Sequence, residues 1–275
     1  GFHRYSVDEK WLLPHFEKML YDNAQLGAIY SRAARTYRDA FYERVARRTL
    51  DYVLREMTSP DGGFFSAQDA EVDGREGANY VWIEEEVRAA VDPADAGFAM
   101  QVYGLSEGFN FRDPHYPELP PTNVLRLGAR PERLAEQMGL SEAEFMAKLD
   151  RINARLYQAR SARKQPRLDD KILTSWNGMM IAGLARAGAL LQEPRYLAAA
   201  SSAARHILST MRDPAAGLLR VARGGPAKTA GILEDFALLI DGLLALHEAS
   251  ANDRALPAAR ALIERAGRDF GRGGG

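Results

Sequence analysis

The chain has 275 residues, of which 46% are hydrophobic and 27% charged, with a net charge of -1 at neutral pH and no cysteine. A chain this long can bury a large core without staples. The lack of cysteine excludes a thiol nucleophile, a thiolate metal site and dithiol chemistry within this stretch, and the near-zero charge gives no electrostatic reason for nucleic acid or an anionic membrane as partner. No apolar run approaches the roughly 20 residues of a membrane span and no signal peptide is visible. A cytoplasmic protein is expected, and the absence of cysteine agrees with a reducing compartment.

Residues 1–11 read as a short extended piece and a turn. Pro14 stands where the first helical position would be, a site that proline favours because its missing N–H has no helical partner there. The spacing of Phe16, Leu20, Ala24 and of Tyr21, Leu26, Ile29 predicts a helix over about 15–37, followed by a second over 41–57. Pro60, Gly62 and Gly63 end that hairpin. A short extended segment, 64–71, precedes helices predicted at 84–91 and 94–103. Residues 108–131, with Pro114, Pro117, Pro120, Pro121 and Pro131, read as an ordered, proline-rich insertion. Ser141 and Glu144 resemble a capping box opening a helix over 141–159. Two clear hairpins follow, 175–191 with 195–211 and 233–250 with 254–270.

The hairpins keep a strict register. Asn23 to Gly63, Asn177 to Gly217 and Asp235 to Gly275 are each 40 positions apart. Repeated helix pairs imply stacked hairpins sharing one core. The 58 positions from Asn177 to Asp235 and the long polar loops after the glycines favour an all-α, α/α toroid over an open solenoid. Gly1-Phe2-His3 matches the segments after Gly63 and Gly217, so residues 1–275 are expected to be one toroid domain fragment, truncated at both ends: an incomplete ring.

In such a toroid the openings of the inner helices and the segments after the glycines gather at one mouth. Asp22, Asp69 and Asp235 are then candidate catalytic carboxylates, because acid–base work on sugars needs one acid and one base or nucleophile facing each other. His15 is a candidate proton carrier at neutral pH. His3, Arg4, Tyr5, Glu17, Tyr21, Asn23, Gln68, Lys171, Trp176, Asn177 and Glu234 are candidates for substrate binding, the aromatics offering apolar surface to a pyranose ring, as Trp11 also could. Asparagine and aspartate are good helix caps, so the same openings have a purely structural reading. Asp69 can equally be a turn residue, Glu84-Glu85-Glu86 a solvated first helical turn, and Arg44, Arg47 and Arg48 a solvated helix face. No HExxH, GxSxG, P-loop or GxGxxG motif is present, and no histidine or carboxylate cluster has metal spacing. No cofactor and no metal are expected.

Gly1-Phe2-His3-Arg4-Tyr5-Ser6-Val7-Asp8 and Pro14-His15-Phe16-Glu17-Lys18-Met19-Leu20-Tyr21-Asp22-Asn23 resemble the spermatogenesis-associated, thioredoxin-domain-containing family. So do Phe65-Ser66-Ala67-Gln68-Asp69-Ala70, Tyr80-Val81-Trp82 and Asp169-Asp170-Lys171-Ile172-Leu173-Thr174-Ser175-Trp176-Asn177-Gly178. The resemblance implies a parent protein with a thioredoxin-like domain, absent here, followed by a toroid similar to six-hairpin glycosidases and N-acylglucosamine 2-epimerases. It does not fix a reaction. The expected function is acid–base chemistry on a small carbohydrate, by hydrolysis or epimerisation. The alternative is a non-catalytic binding or scaffold module serving the thioredoxin-like domain of the same parent chain.

Overall fold

The computed structural model describes residues 1–113, 115–215, 217–250 and 254–271. Pro114 and Gly275, both used above, lie outside them. In chain order the helices are α1 (Leu20–Tyr37), α2 (Ala40–Glu56), α3 (Glu84–Ala90), α4 (Pro93–Val102), α5 (Pro131–Gln137), α6 (Glu142–Ser161), α7 (Thr174–Leu190), α8 (Pro194–Thr210), α9 (Leu233–Ser250) and α10 (Ala255–Phe270). The strands are short: β1 (Tyr5–Ser6), β2 (Pro14–His15), β3 (Lys18–Met19), β4 (Ala67–Gln68), β5 (Glu71–Val72), β6 (Arg75–Glu76), β7 (Leu168–Asp169), β8 (Ile172–Leu173), β9 (Arg212–Asp213), β10 (Gly217–Ala222) and β11 (Lys228–Ala230). The chain divides into two compact units, one of residues 1–2, 18–68 and 168–275, the other of residues 3–17 and 69–167.

The first unit holds the three regular hairpins, α1–α2, α7–α8 and α9–α10. Arg38 and Gln192, both with φ of 53°, turn the first two, and Asp39 caps α2 by accepting from the N–H groups of Phe41 and Tyr42. Helix α7 is apolar on nearly every side, and Met180, Ile181, Leu184, Ala185 and Ala187 are fully buried. Such a helix must be surrounded, and α1, α8 and α9 pack against it. The approach to α9 depends on glycine: a Cβ on Gly178 would lie 2.5 Å from the carbonyl carbon and oxygen of Leu238, and one on Gly242 would lie 2.5 Å from the Gly178 oxygen. Arg47, expected on a solvated face, instead donates to the Leu191 carbonyl at 2.9 Å and to Glu193 at 3.1 Å. It ties α2 to the turn between α7 and α8.

In the second unit, Trp82, Val87, Phe98, Phe145, Leu149 and Ile152 form one core around α3, α4 and α6. Phe16, Ala70, Val81 and Phe111 form a smaller one. Ser141 and Glu144 make the expected capping box. Within the described part of the proline-rich stretch, bridges pair Phe111 with Thr122 and Trp82 with Asn123. Glu86 does more than sit in solvent: it accepts from the Ile83 N–H and from Arg163, each at 3.1 Å.

The expected start of the first helix is not met. The first helix begins at Leu20, not near residue 15, and Pro14 is not its first helical residue. β2 pairs with β1, Tyr5 opposite His15 and Ser6 opposite Pro14. β3 pairs with β4, which pairs in turn with β7. Ladder partners far away in sequence outweigh the local helical spacing of Phe16 and Leu20.

Candidate functional site

In the second unit the β1–β2 hairpin assembles a chain of charged side chains. His15 lies opposite Tyr5 in the ladder and the two rings stack at 4.9 Å, 24° apart. His15 Nδ1 is 2.7 Å from Glu76 Oε1, which also accepts from the Phe16 N–H at 3.1 Å. On the other edge of the ring, His15 Nε2 is 3.6 Å from Glu17 Oε2. Arg4 Nη1 donates to that same carboxylate oxygen at 3.0 Å. The order Glu76–His15–Glu17–Arg4 alternates acceptor and donor. The carboxylate at Nδ1 orients the imidazole, with Nε2 on the side of Glu17. His3 Nδ1 is 2.8 Å from the Phe16 carbonyl, and its ring meets Phe16 and Tyr80 edge-on; it acts as packing for this hairpin. Asp69 is exposed and accepts from the Glu71 N–H at 3.3 Å, a turn contact.

The openings of the three helical hairpins belong to the first unit, and their polar residues fasten backbone. Asn23 and Asn177 were read as helix caps or ligand contacts. They do not cap: the residues before the helices are Met19 and Leu173, without side-chain caps, and both asparagines sit one turn in, fully buried. Asn177 accepts from the Phe64 N–H at 2.8 Å and donates to the Phe64 and Leu173 carbonyls, each at 3.0 Å. Asn23 repeats this with Phe2, accepting from its N–H at 2.7 Å and donating to its carbonyl at 3.3 Å and to that of Met19 at 2.8 Å. Each asparagine therefore completes the backbone pairing of the residue that follows a glycine, Gly63 or Gly1.

Asp235 is also wholly buried. It accepts from the Ser175 N–H at 3.1 Å, the Ile232 N–H at 3.0 Å and Arg220 Nη1 at 3.0 Å. With those partners the carboxylate is engaged in structure. Glu234 beside it is exposed and 3.4 Å from Arg220 Nη2. Gln68 is buried and accepts from the Tyr52 hydroxyl at 3.1 Å, and Lys18 Nζ lies 4.5 Å above the Tyr52 ring. Lys171 pairs with Asp169 at 3.0 Å. Burial works to raise the Asp169 carboxyl, but hydrogen bonds from Lys171 overcome it and hold the group below the usual carboxylate range. Tyr21 and Trp176, both half-buried, meet edge-to-face at 4.8 Å, and Asp22 is half-buried on the first turn of α1. An open cavity of about 1190 Å³ in this unit is lined by α8, α9 and α10, including Arg205, His206 and Leu246; no site residue expected from the sequence lines it.

Asp22 and Asp235 thus belong to one unit, His15 and Asp69 to the other. Sequence reasoning missed Glu76, which carried no signal beyond a short turn, and Arg220, whose place on β10 opposite a helix opening follows only from the fold.

No protein-family model matches the chain. Over 276 aligned residues it is 40% identical to human "Spermatogenesis-associated protein 20" and 39% identical to the mouse protein of that name, in each case over 91% of this chain. The chain belongs to the spermatogenesis-associated protein family. It spans about a third of the length of these curated relatives, 35% of each. Among solved structures, one described as UGL with dGlcA-Glc-Rha-Glc matches at a TM-score of 0.51 and 13% identity, over 97% of this chain and 50% of that one. A cellobiose 2-epimerase from Bacillus thermoamylovorans aligns over 97% of this chain and 80% of its own at 13% identity and a TM-score of 0.33. The fold of this family member is all-α, of the α/α-toroid class built from helical hairpins. Among the described residues no helix is long and apolar enough to cross a membrane.

Proposed function

We propose that this domain acts on a small carbohydrate by acid–base chemistry, hydrolysing a glycoside or epimerising a sugar in the cytoplasm, with His15 as the proton carrier. The observation that carries the reading is the 2.7 Å contact of His15 Nδ1 with Glu76. It leaves Nε2 to take a proton from, or give one to, a ligand, with Glu17 and Arg4 beside it to bind hydroxyl groups. Tyr5, stacked on the imidazole, narrows the ring's freedom and adds an apolar face. Asp69, exposed in the same unit as His15, stays in the proposal as a carboxylate. Asp235, Asn23, Asn177 and Gln68 are assigned to positioning, because each is buried against protein partners.

The test is turnover of a panel of disaccharides and free aldoses by the chain, read as new reducing ends or new epimers. His15→Asn should lower the rate by about 10²- to 10⁴-fold, the usual contribution of general acid–base catalysis, and Glu76→Gln should lower it less. A panel that turns over equally with His15→Asn removes His15 from the mechanism. A second reading has support from the buried asparagines and Asp235: these acids and amides brace helices, as a scaffold for a thioredoxin-like domain of the parent protein would require. That reading predicts binding of such a domain with no sugar turnover by the wild type.

A further inference from the structure

We infer that Trp11, at the tip of the β1–β2 hairpin, is a stacking platform for a sugar ring, a second binding point on the element that carries His15. The inference rests on the carbohydrate reading above and gives it a residue outside the charged chain. Trp11 is 84% exposed, far more than an indole would be if it served the core. Its backbone is left-handed, φ 55°, a conformation that bulky side chains rarely adopt and that surrounding structure must enforce.

The enforcement is visible. The Asp8 carboxylate accepts from the N–H groups of Lys10 at 2.8 Å and Leu12 at 3.1 Å, and from that of Leu13 as well. The Asp8 carbonyl accepts from the Trp11 N–H at 3.2 Å and from the Ser6 hydroxyl at 2.8 Å. The Val7 N–H closes the loop on the Leu13 carbonyl at 2.9 Å, and Leu13 packs on the Phe16 cluster. A strained, braced loop that holds an indole out in water is preorganised to meet something flat and weakly apolar. The ligand side of that description is the C–H face of a pyranose, drawn to the electron-rich face of the indole. Glu9 and Lys10, exposed on the same loop, offer an acceptor and a donor to the ring's hydroxyls.

The test uses the whole chain labelled with 5-fluorotryptophan. Its three tryptophans, at 11, 82 and 176, give three ¹⁹F signals, and the Trp11 signal is assigned by its loss in Trp11→Phe. Cellotetraose and maltotetraose are the probes. The expected result is a saturable shift of the Trp11 signal with one of them, a loss of affinity of 10-fold or more in Trp11→Ala, and retention of most affinity in Trp11→Tyr. A tetraose that binds without moving the Trp11 signal, and equally well to Trp11→Ala, overturns this inference and leaves the carbohydrate reading standing. Failure of a wider panel, including the acidic and N-acetylated disaccharides, to bind the wild type overturns both.

Discussion

Replacing Asn177 with alanine tests the buried amide bonds that fasten each helical hairpin. The side chain makes three hydrogen bonds, and two of them satisfy both backbone groups of Phe64, a residue with no exposure to water. Alanine leaves the Phe64 N–H and C=O buried without that partner. An orphaned buried group costs about 1–3 kcal/mol, so the two together set an expected loss of about 3 kcal/mol. For a protein of this size that corresponds to a fall in Tm of about 6–12 °C. Asn23→Ala removes the same geometry from Phe2, which is only half-buried. Water can replace the amide there, and the loss should be nearer 1 kcal/mol. Gln25→Ala removes an exposed bond from the same donor chemistry, to the Tyr21 carbonyl, and should stay within about 0.5 kcal/mol of wild type. The assay is urea unfolding followed by circular dichroism, with thermal melts beside it. An Asn177→Ala protein that melts within about 2 °C of wild type, or that is more stable than Asn23→Ala, would refute the reasoning.

Gly178→Ala places a methyl group against the backbone of Leu238 and Leu239, where no side chain can give way; a loss of about 3 kcal/mol, or failure to fold, is expected in the same unfolding assay. Arg220→Met strips the Asp235 carboxylate of its cationic partner while leaving it buried. Breaking such a pair costs about 3–5 kcal/mol when both partners are buried, and because Arg220 is 32% exposed about 2 kcal/mol is expected here. Adding Asp235→Asn should restore part of it, and a double mutant no better than the single would contradict the pairing. Hydrogen bonds from Leu13, Leu12, Lys10 and Ser6 hold the Asp8 carboxyl below its ordinary range against a smaller opposing effect of burial. A depressed carboxylate stabilises the folded loop above its unfolded pKa, and that contribution disappears as pH falls through the folded value. The Leu12 and Leu13 amides should therefore stay protected from neutral pH into mild acid and lose protection only below the usual carboxylate range. Asp8→Asn should remove that pH dependence.

The hairpins were legible because helical periodicity and Gly/Pro punctuation are local properties. Leu233–Ser250 and the Ser141–Glu144 box could be read directly. The extended run from Pro14 to Met19 could not: its pairing groups come from Tyr5–Ser6 and Ala67–Gln68, and nothing within the run itself opposes a helix. The asparagines show a subtler limit. Their 40-residue distance to the glycine that closes their own hairpin is a true repeat, yet Asn177 bonds to Phe64, after the glycine of an earlier hairpin, 113 positions away. Spacing revealed the periodicity and hid the partner. His15 was singled out for its chemistry, while the residue that orients it, Glu76, sits in a turn whose sequence is unremarked.

The central claim, that this domain moves a proton on a sugar, has one direct test. The chain is incubated in D₂O with pooled aldoses and disaccharides and followed by ¹H NMR, with His15→Asn in parallel. The account predicts either loss of a C2–H signal, as solvent deuterium enters during epimerisation, or new anomeric signals from a cleaved glycoside, in the wild type and not in His15→Asn. A folded wild type that leaves every signal unchanged, or a His15→Asn protein that matches the wild type, would contradict it.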